Sequence, residues 1–173
     1  MRLLGWVLLG LLQGCASVSI APYQAQTVDV DLQPVAIARV DSVDPRANEL
    51  TVRGRQLLAG TDGATYVAYL DQALYEQLTA SGLYDEQSSL RLTGELLKNQ
   101  YDQRSQQASL QISMNFVLIQ DGEILFEEVH QGVARWPAGF DDLEQARQSY
   151  PKVVANMLRN LLNDRQFQRA LTR

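Results

Sequence analysis

The sequence predicts an α+β domain of two layers, a mainly antiparallel sheet with two main helices packed on one face. Three stretches carry that expectation. In residues 109–120, Leu110, Ile112, Met114, Phe116 and Leu118 point one way and alternate with Gln111, Ser113 and Asn115, the period of a half-buried strand. In residues 64–81, Tyr66, Val67, Leu70, Ala73, Leu74 and Leu78 recur at helical spacing. A second stripe, Val153, Val154, Met157, Leu158, Leu161 and Leu162, closes the domain.

Taken in order, the folded part begins near Pro34. Val35, Ile37 and Val40 suit a strand, and small apolar residues on both its faces suit a central one. Residues 41–48, with Pro45, read as a turn region. Residues 49–58 read as a second short strand that Gly54 weakens. Gly60 and Gly63 then precede the first helix, with Thr61 or Asp62 as its N-cap. Gly82 ends that helix in a left-handed turn, which brings Leu83 against Leu78.

Residues 88–100 predict a strand with Leu90, Leu92 and Leu96 on one face and a bulge near Leu97 and Lys98. The polar residues 99–108 read as a hairpin loop. Asp121 and Gly122 form a two-residue hairpin turn, and residues 124–135 return antiparallel. A regular register pairs Gln120 with Glu123, Ile119 with Ile124, Leu118 with Leu125, Val117 with Phe126 and Met114 with Val129. Farther down it sets Asn115 opposite Glu128 and Ser113 opposite His130. That register gathers Val117, Ile119, Ile124 and Phe126 into an apolar patch on the face away from the helices, a candidate contact for a partner or a lipid. It also puts Glu127 on the core face, which requires the strand to leave the covered region there or a bulge to reset its faces.

Trp136 and Phe140 are expected to cap the core. Asp141 and Asp142 suit a helix N-terminus. The second helix meets Pro151, where a kink or a restart is expected. Asp164 caps a last short helix holding Phe167 and Leu171.

The amino terminus indicates where the protein works. Arg2 leads a short apolar run, residues 3–12, too short to span a bilayer. It ends at Leu12-Gln13-Gly14-Cys15, and Cys15 is the only cysteine. Leu-x-Gly-Cys resembles the lipobox of bacterial lipoproteins. That resemblance implies removal of residues 1–14, acyl chains on Cys15 and a membrane anchor through them. Ala16, where an Asp would imply inner-membrane retention, implies the periplasmic face of the outer membrane. Residues 15–33, rich in small and polar side chains, read as a tether, and residues 34–173 as a single periplasmic domain. The end of the tether is expected to be ordered where Val28, Val30 and Leu32 alternate with Asp29 and Asp31.

Charge and residue counts exclude several classes. A net charge of -5 disfavours binding to phosphate backbones, so no nucleic-acid partner is expected. With Cys15 acylated no thiol remains, and a single histidine is too few for an ordinary zinc site. No cofactor and no metal are expected. No Gly-x-Ser-x-Gly elbow accompanies His130, and no Gly-rich loop with a Lys precedes a helix. Glu127 and Glu128 point to opposite faces of a strand and cannot work as a pair. No catalytic residues and no enzymatic activity are expected.

The lipobox, Tyr69-Leu70-Asp71-Gln72-Ala73-Leu74, Gln77-Leu78 with Ser81-Gly82-Leu83-Tyr84, the hairpin at Asp121-Gly122 and the closing helix resemble the YajG-type bacterial lipoproteins. In element order the chain is also similar to the lipopolysaccharide-assembly lipoprotein LptE and to auxiliary lipoproteins of ABC-type transporters. The resemblance implies a partner in envelope assembly, maintenance or transport. The alternative is a carrier of lipid or glycolipid, with the ligand in an apolar groove between sheet and helices.

Overall fold

The structure, a computed structural model, describes residues 18–29, 31–60 and 64–172. The leader, the Leu12–Cys15 run, Val30, Thr61 and Asp62 lie outside the described residues. The elements run β1 (Val18–Ser19), β2 (Ala36–Ser42), β3 (Leu50–Val52), β4 (Arg55–Leu58), α1 (Tyr66–Ala80), β5 (Arg91–Arg104), β6 (Gln107–Gln120), β7 (Glu123–Pro137), α2 (Asp142–Leu162) and α3 (Arg165–Ala170). The main sheet has the order β2-β5-β6-β7, parallel between β2 and β5 and antiparallel elsewhere. A small sheet, β1-β4-β3, lies beside it. The fold is α+β and its sheets are mainly antiparallel, as expected.

The first helix ends as its sequence dictates. Gly82 is left-handed (φ 69). Leu83 N donates to Leu78 O at 2.8 Å and Gly82 N to Thr79 O at 3.1 Å, the paired bonds of a Schellman ending. The start differs from expectation. The N-cap is Thr65, whose side chain accepts from Ala68 N. Residues 49–58 form a hairpin rather than one strand: Arg53 and Gly54 both have positive φ (50 and 75), so Gly54 builds a turn.

β2 is an edge strand, not a central one. β5 and β6 continue through the stretch expected to be a loop, leaving Ser105 and Gln106 as the turn. Asn99 keeps that extension in register, being buried and donating to Ala47 O at 3.1 Å. The bulge at Leu97 is present. α2 runs through Pro151 as one helix. Proline removes one backbone bond, but Ala146, Tyr150, Val153, Val154, Met157 and Leu158 are buried on both sides of it, so packing holds the helix together. Asp164 caps α3 by accepting from Gln166 N and Phe167 N.

The largest difference lies before β2. The stretch expected to be a tether packs on α1, burying Ile20 and Tyr23. Gln77, 3 % exposed, organises the contact. Its Oε1 accepts from Tyr23 OH at 2.7 Å and its Nε2 donates to Gln26 O at 2.6 Å. Ser81 Oγ accepts from Val28 N, and Gln33 N donates to Leu171 O.

Candidate docking surface

The face of the main sheet away from the helices is built by alternation. Cross-strand partners share a face, so the pairs Ile119–Ile124, Val117–Glu127 and Asn115–Val129 all lie on this side. β5 adds Arg91, Thr93 and Glu95 beside Ile119, Val117 and Asn115. Ile124 and Val129 are 56 % and 54 % exposed, and Val117 and Ile119 are half-buried. Asn115 Nδ2 donates to Glu127 Oε1 at 3.2 Å, and Thr93 Oγ1 donates to Val117 O at 3.3 Å. The result is a β-branched strip with charged margins.

Three of the four expected patch residues therefore share this face. Phe126 does not. Leu125 is an extra residue between the Leu118–Phe126 and Ile119–Ile124 pairs, and this bulge turns Phe126 onto the core face. There it is 4 % exposed, with its ring 5.2 Å from Phe167. The bulge also moves Glu127 out of the core and brings Val129 onto the open face. Ser113 now pairs with Gln131 and Met114 with His130. The misplaced Glu127 of the regular register was the signal in the sequence that could have found the bulge. Cys15, the expected lipidation site, lies outside the described residues.

His130 sits between Phe116 and Phe126 (6.1 and 6.2 Å between ring centroids), with Nε2 3.8 Å from Asp164 Oδ2. Burial lowers its pKa below the ordinary histidine value, against the pull of Asp164 and Glu128. No hydrogen bond reaches Nε2. Among the described residues, no three His, Cys, Asp or Glu side chains gather to hold a metal.

The space between sheet and helices is filled: Leu70, Leu74, Leu92, Phe116, Val154 and Leu158 are at most 2 % exposed. An open groove of about 440 Å³ lies elsewhere, between the first described residues and α1, lined by Ile20, Pro22, Tyr23, Ala64, Ala68 and Tyr69. Tyr69 OH donates to Ala21 O across it at 3.1 Å. Burial pushes the Tyr23 phenol up to about 12, so both tyrosines serve there as neutral hydroxyls.

No protein-family model and no curated relative matches the sequence. Solved structures do. The chain has the fold of protein XCC0632 from Xanthomonas campestris, of family DUF330. The two superpose with a TM-score of 0.57 at 13 % identity, over 90 % of this chain and 92 % of that one. The hypothetical protein CT253 from Chlamydia trachomatis is similar at a TM-score of 0.54 and 8 % identity, over 80 % and 98 % of the two chains. A minor lipoprotein from Acinetobacter baumannii is more remote, at a TM-score of 0.44 and 14 % identity over 79 % and 96 %. These likenesses are of fold and do not single out the YajG type.

Proposed function

We propose that this protein is a lipid-anchored envelope protein without enzymatic activity, whose domain docks a partner in envelope assembly, maintenance or transport. The observation that carries the reading is the Leu12-Gln13-Gly14-Cys15 run placed three residues before the first strand of a folded domain. Acyl chains on Cys15 would hold the domain at the membrane, since two or more chains anchor stably where one does not. Ala16 supports the periplasmic face of the outer membrane. Among the described residues no helix is long and apolar enough to cross a membrane. The open sheet face around Ile119, Ile124, Val117 and Val129 supports protein docking, because apolar residues grouped on an exposed face mark contact sites.

The test has two halves. Cys15→Ala is expected to leave the membrane fraction while its thermal melt stays unchanged, and retention in the membrane overturns the anchor. Photo-crosslinkers at Ile119 and Ile124, with Phe126 as the buried control, are expected to give discrete protein adducts in cells. Lipid adducts at those positions favour the carrier reading instead. The groove along Ile20, Tyr23 and Tyr69 supports that second reading, although it lies at the edge of α1 and not under the sheet.

A further inference from the structure

The two ends of the meander differ. β5, β6 and β7 are 14, 14 and 15 residues long, so at 3.3 Å per residue the sheet spans about 45 Å. One end carries the Asp121–Gly122 turn and Glu123. The other carries the Ser105–Gln106 turn, the Arg53–Gly54 turn and the loop between β7 and α2. There Ala138 N donates to Gln106 O at 2.9 Å, and Arg53 Nη1 donates to Gly139 O at 2.7 Å.

That loop is pinned from within. Asp142, fully buried, accepts from Tyr101 OH at 2.7 Å, Gly139 N at 2.9 Å, Trp136 Nε1 at 3.0 Å and Arg53 Nη1 at 3.4 Å. The loop so fixed holds Phe140 entirely in solvent, at 103 % exposure. The expected core cap is thus Trp136 alone. The Arg53 guanidinium lies 5.9 Å from the Phe140 ring centroid. Arg55 and Arg104 are exposed at the same end. Of the acidic residues there, Asp142 is bonded as described, Asp102 is paired with Arg104, and Asp141 accepts from Gln145. On a chain of net charge -5, this end carries an exposed aromatic with one guanidinium beside it, and its three arginines are matched by three aspartates.

Chain direction connects this end to the anchor. β1 is parallel to β4, with Val18 opposite Leu57 and Ser19 opposite Leu58. β4 starts at Arg55, directly after the Arg53–Gly54 turn. Read from Ser19 to Val18, β1 therefore points back towards that turn. Cys15 lies three residues before Val18, a reach of at most about 11 Å. An anchor at Cys15 would then hold the Arg53 end nearer the membrane than the Asp121 end.

We propose that the end formed by Arg53, Arg55, Arg104 and Phe140 rests on the phospholipid surface, with Phe140 entering the headgroup–acyl boundary and the arginines meeting anionic headgroups. This rests on the lipid-anchor reading. The ring gains burial that none of the described residues gives it, and the pinned loop loses little freedom on contact.

The lipidated full-length chain offers a direct test. Its only cysteine is acylated in this reading, so Phe140→Cys supplies a single thiol for a nitroxide spin label, and Phe140 is too exposed for the change to unfold the domain. Asp121→Cys, at the far end, is the reference. Both are reconstituted in phosphatidylethanolamine–phosphatidylglycerol vesicles, floated, and probed for collision with oxygen and with a water-soluble nickel chelate. The label at 140 is expected to be several-fold less accessible to the chelate than the label at 121, and more accessible to oxygen. Equal chelate accessibility at the two positions in floated vesicles overturns this inference and leaves the anchor standing. Protein that does not float overturns both.

Discussion

Gly132 of β7 lies against the backbone of Val153 of α2: a Cβ built on the glycine would overlap the Val153 carbonyl oxygen and lie 2.9 Å from Val153 C and Cγ1. Helix and strand meet there at a distance that only glycine permits. Gly132→Ala is expected to push α2 off the sheet and cost about 2 to 3 kcal/mol of stability, the size of other overpacking changes. Chemical denaturation of the variant checks this, and an unchanged midpoint would show that α2 has room to move.

The bulge at Leu125 makes a sharp contrast between neighbours. Phe126→Ala removes a ring packed on Phe167 and should cost about 3 to 5 kcal/mol, as for other buried aromatics. Ile124→Ala, on the open face, should stay within about 0.5 kcal/mol. A regular register would put both side chains on the open face and make both changes mild, so paired thermal melts decide between the two.

His130 links stability to pH with a definite sign. Its pKa is lowered in the fold because burial disfavours the charged ring. The unfolded chain therefore binds the proton more readily, and stability falls as pH drops from the unfolded value of about 6.5 towards the folded one. His130 is the only histidine in the sequence. His130→Phe, which keeps a ring between Phe116 and Phe126, is expected to flatten the melting temperature between pH 7 and pH 5. A slope equal to that of the native chain would place the titration elsewhere.

Gln77 is the polar clamp that holds the first described residues on α1. Gln77→Ala leaves Tyr23 OH and Gln26 O without their partner and should cost about 1 to 3 kcal/mol. It should also expose residues 20–28 to limited proteolysis while the meander stays intact. Cleavage mapped by mass spectrometry reads this directly, and no new cleavage would mean that Ile20 and Tyr23 hold by burial alone.

Much of the fold was legible where local chemistry dominates. Gly82 with Leu78 and Leu83 predicted the helix end, Asp121 and Gly122 the hairpin, and Leu97 the bulge in β5, because each is a short-range steric requirement. What the sequence hid depends on partners far along the chain. Gln77 owes its burial and its bonds to Tyr23 and Gln26, more than fifty positions earlier. Asp142 reads as a helix cap until Tyr101, Trp136 and Arg53 converge on it. Phe140 reads as core until that carboxylate fixes the loop facing outwards. Of the candidate patch, Val117, Ile119 and Ile124 were readable from alternation alone. Phe126 was not, since one extra residue at Leu125 inverts every face beyond it.

The docked segment before β2 also has a mechanical meaning. A load applied at the amino terminus would act on this segment first. It would peel Val18 and Ser19 from β4, then strain the bonds at Gln77, and only afterwards reach Val35. Sixteen residues, 18–33, would span up to about 55 Å at full extension. Under such a load the stretch would serve as a stowed leash, let out before the main sheet and its helices are strained.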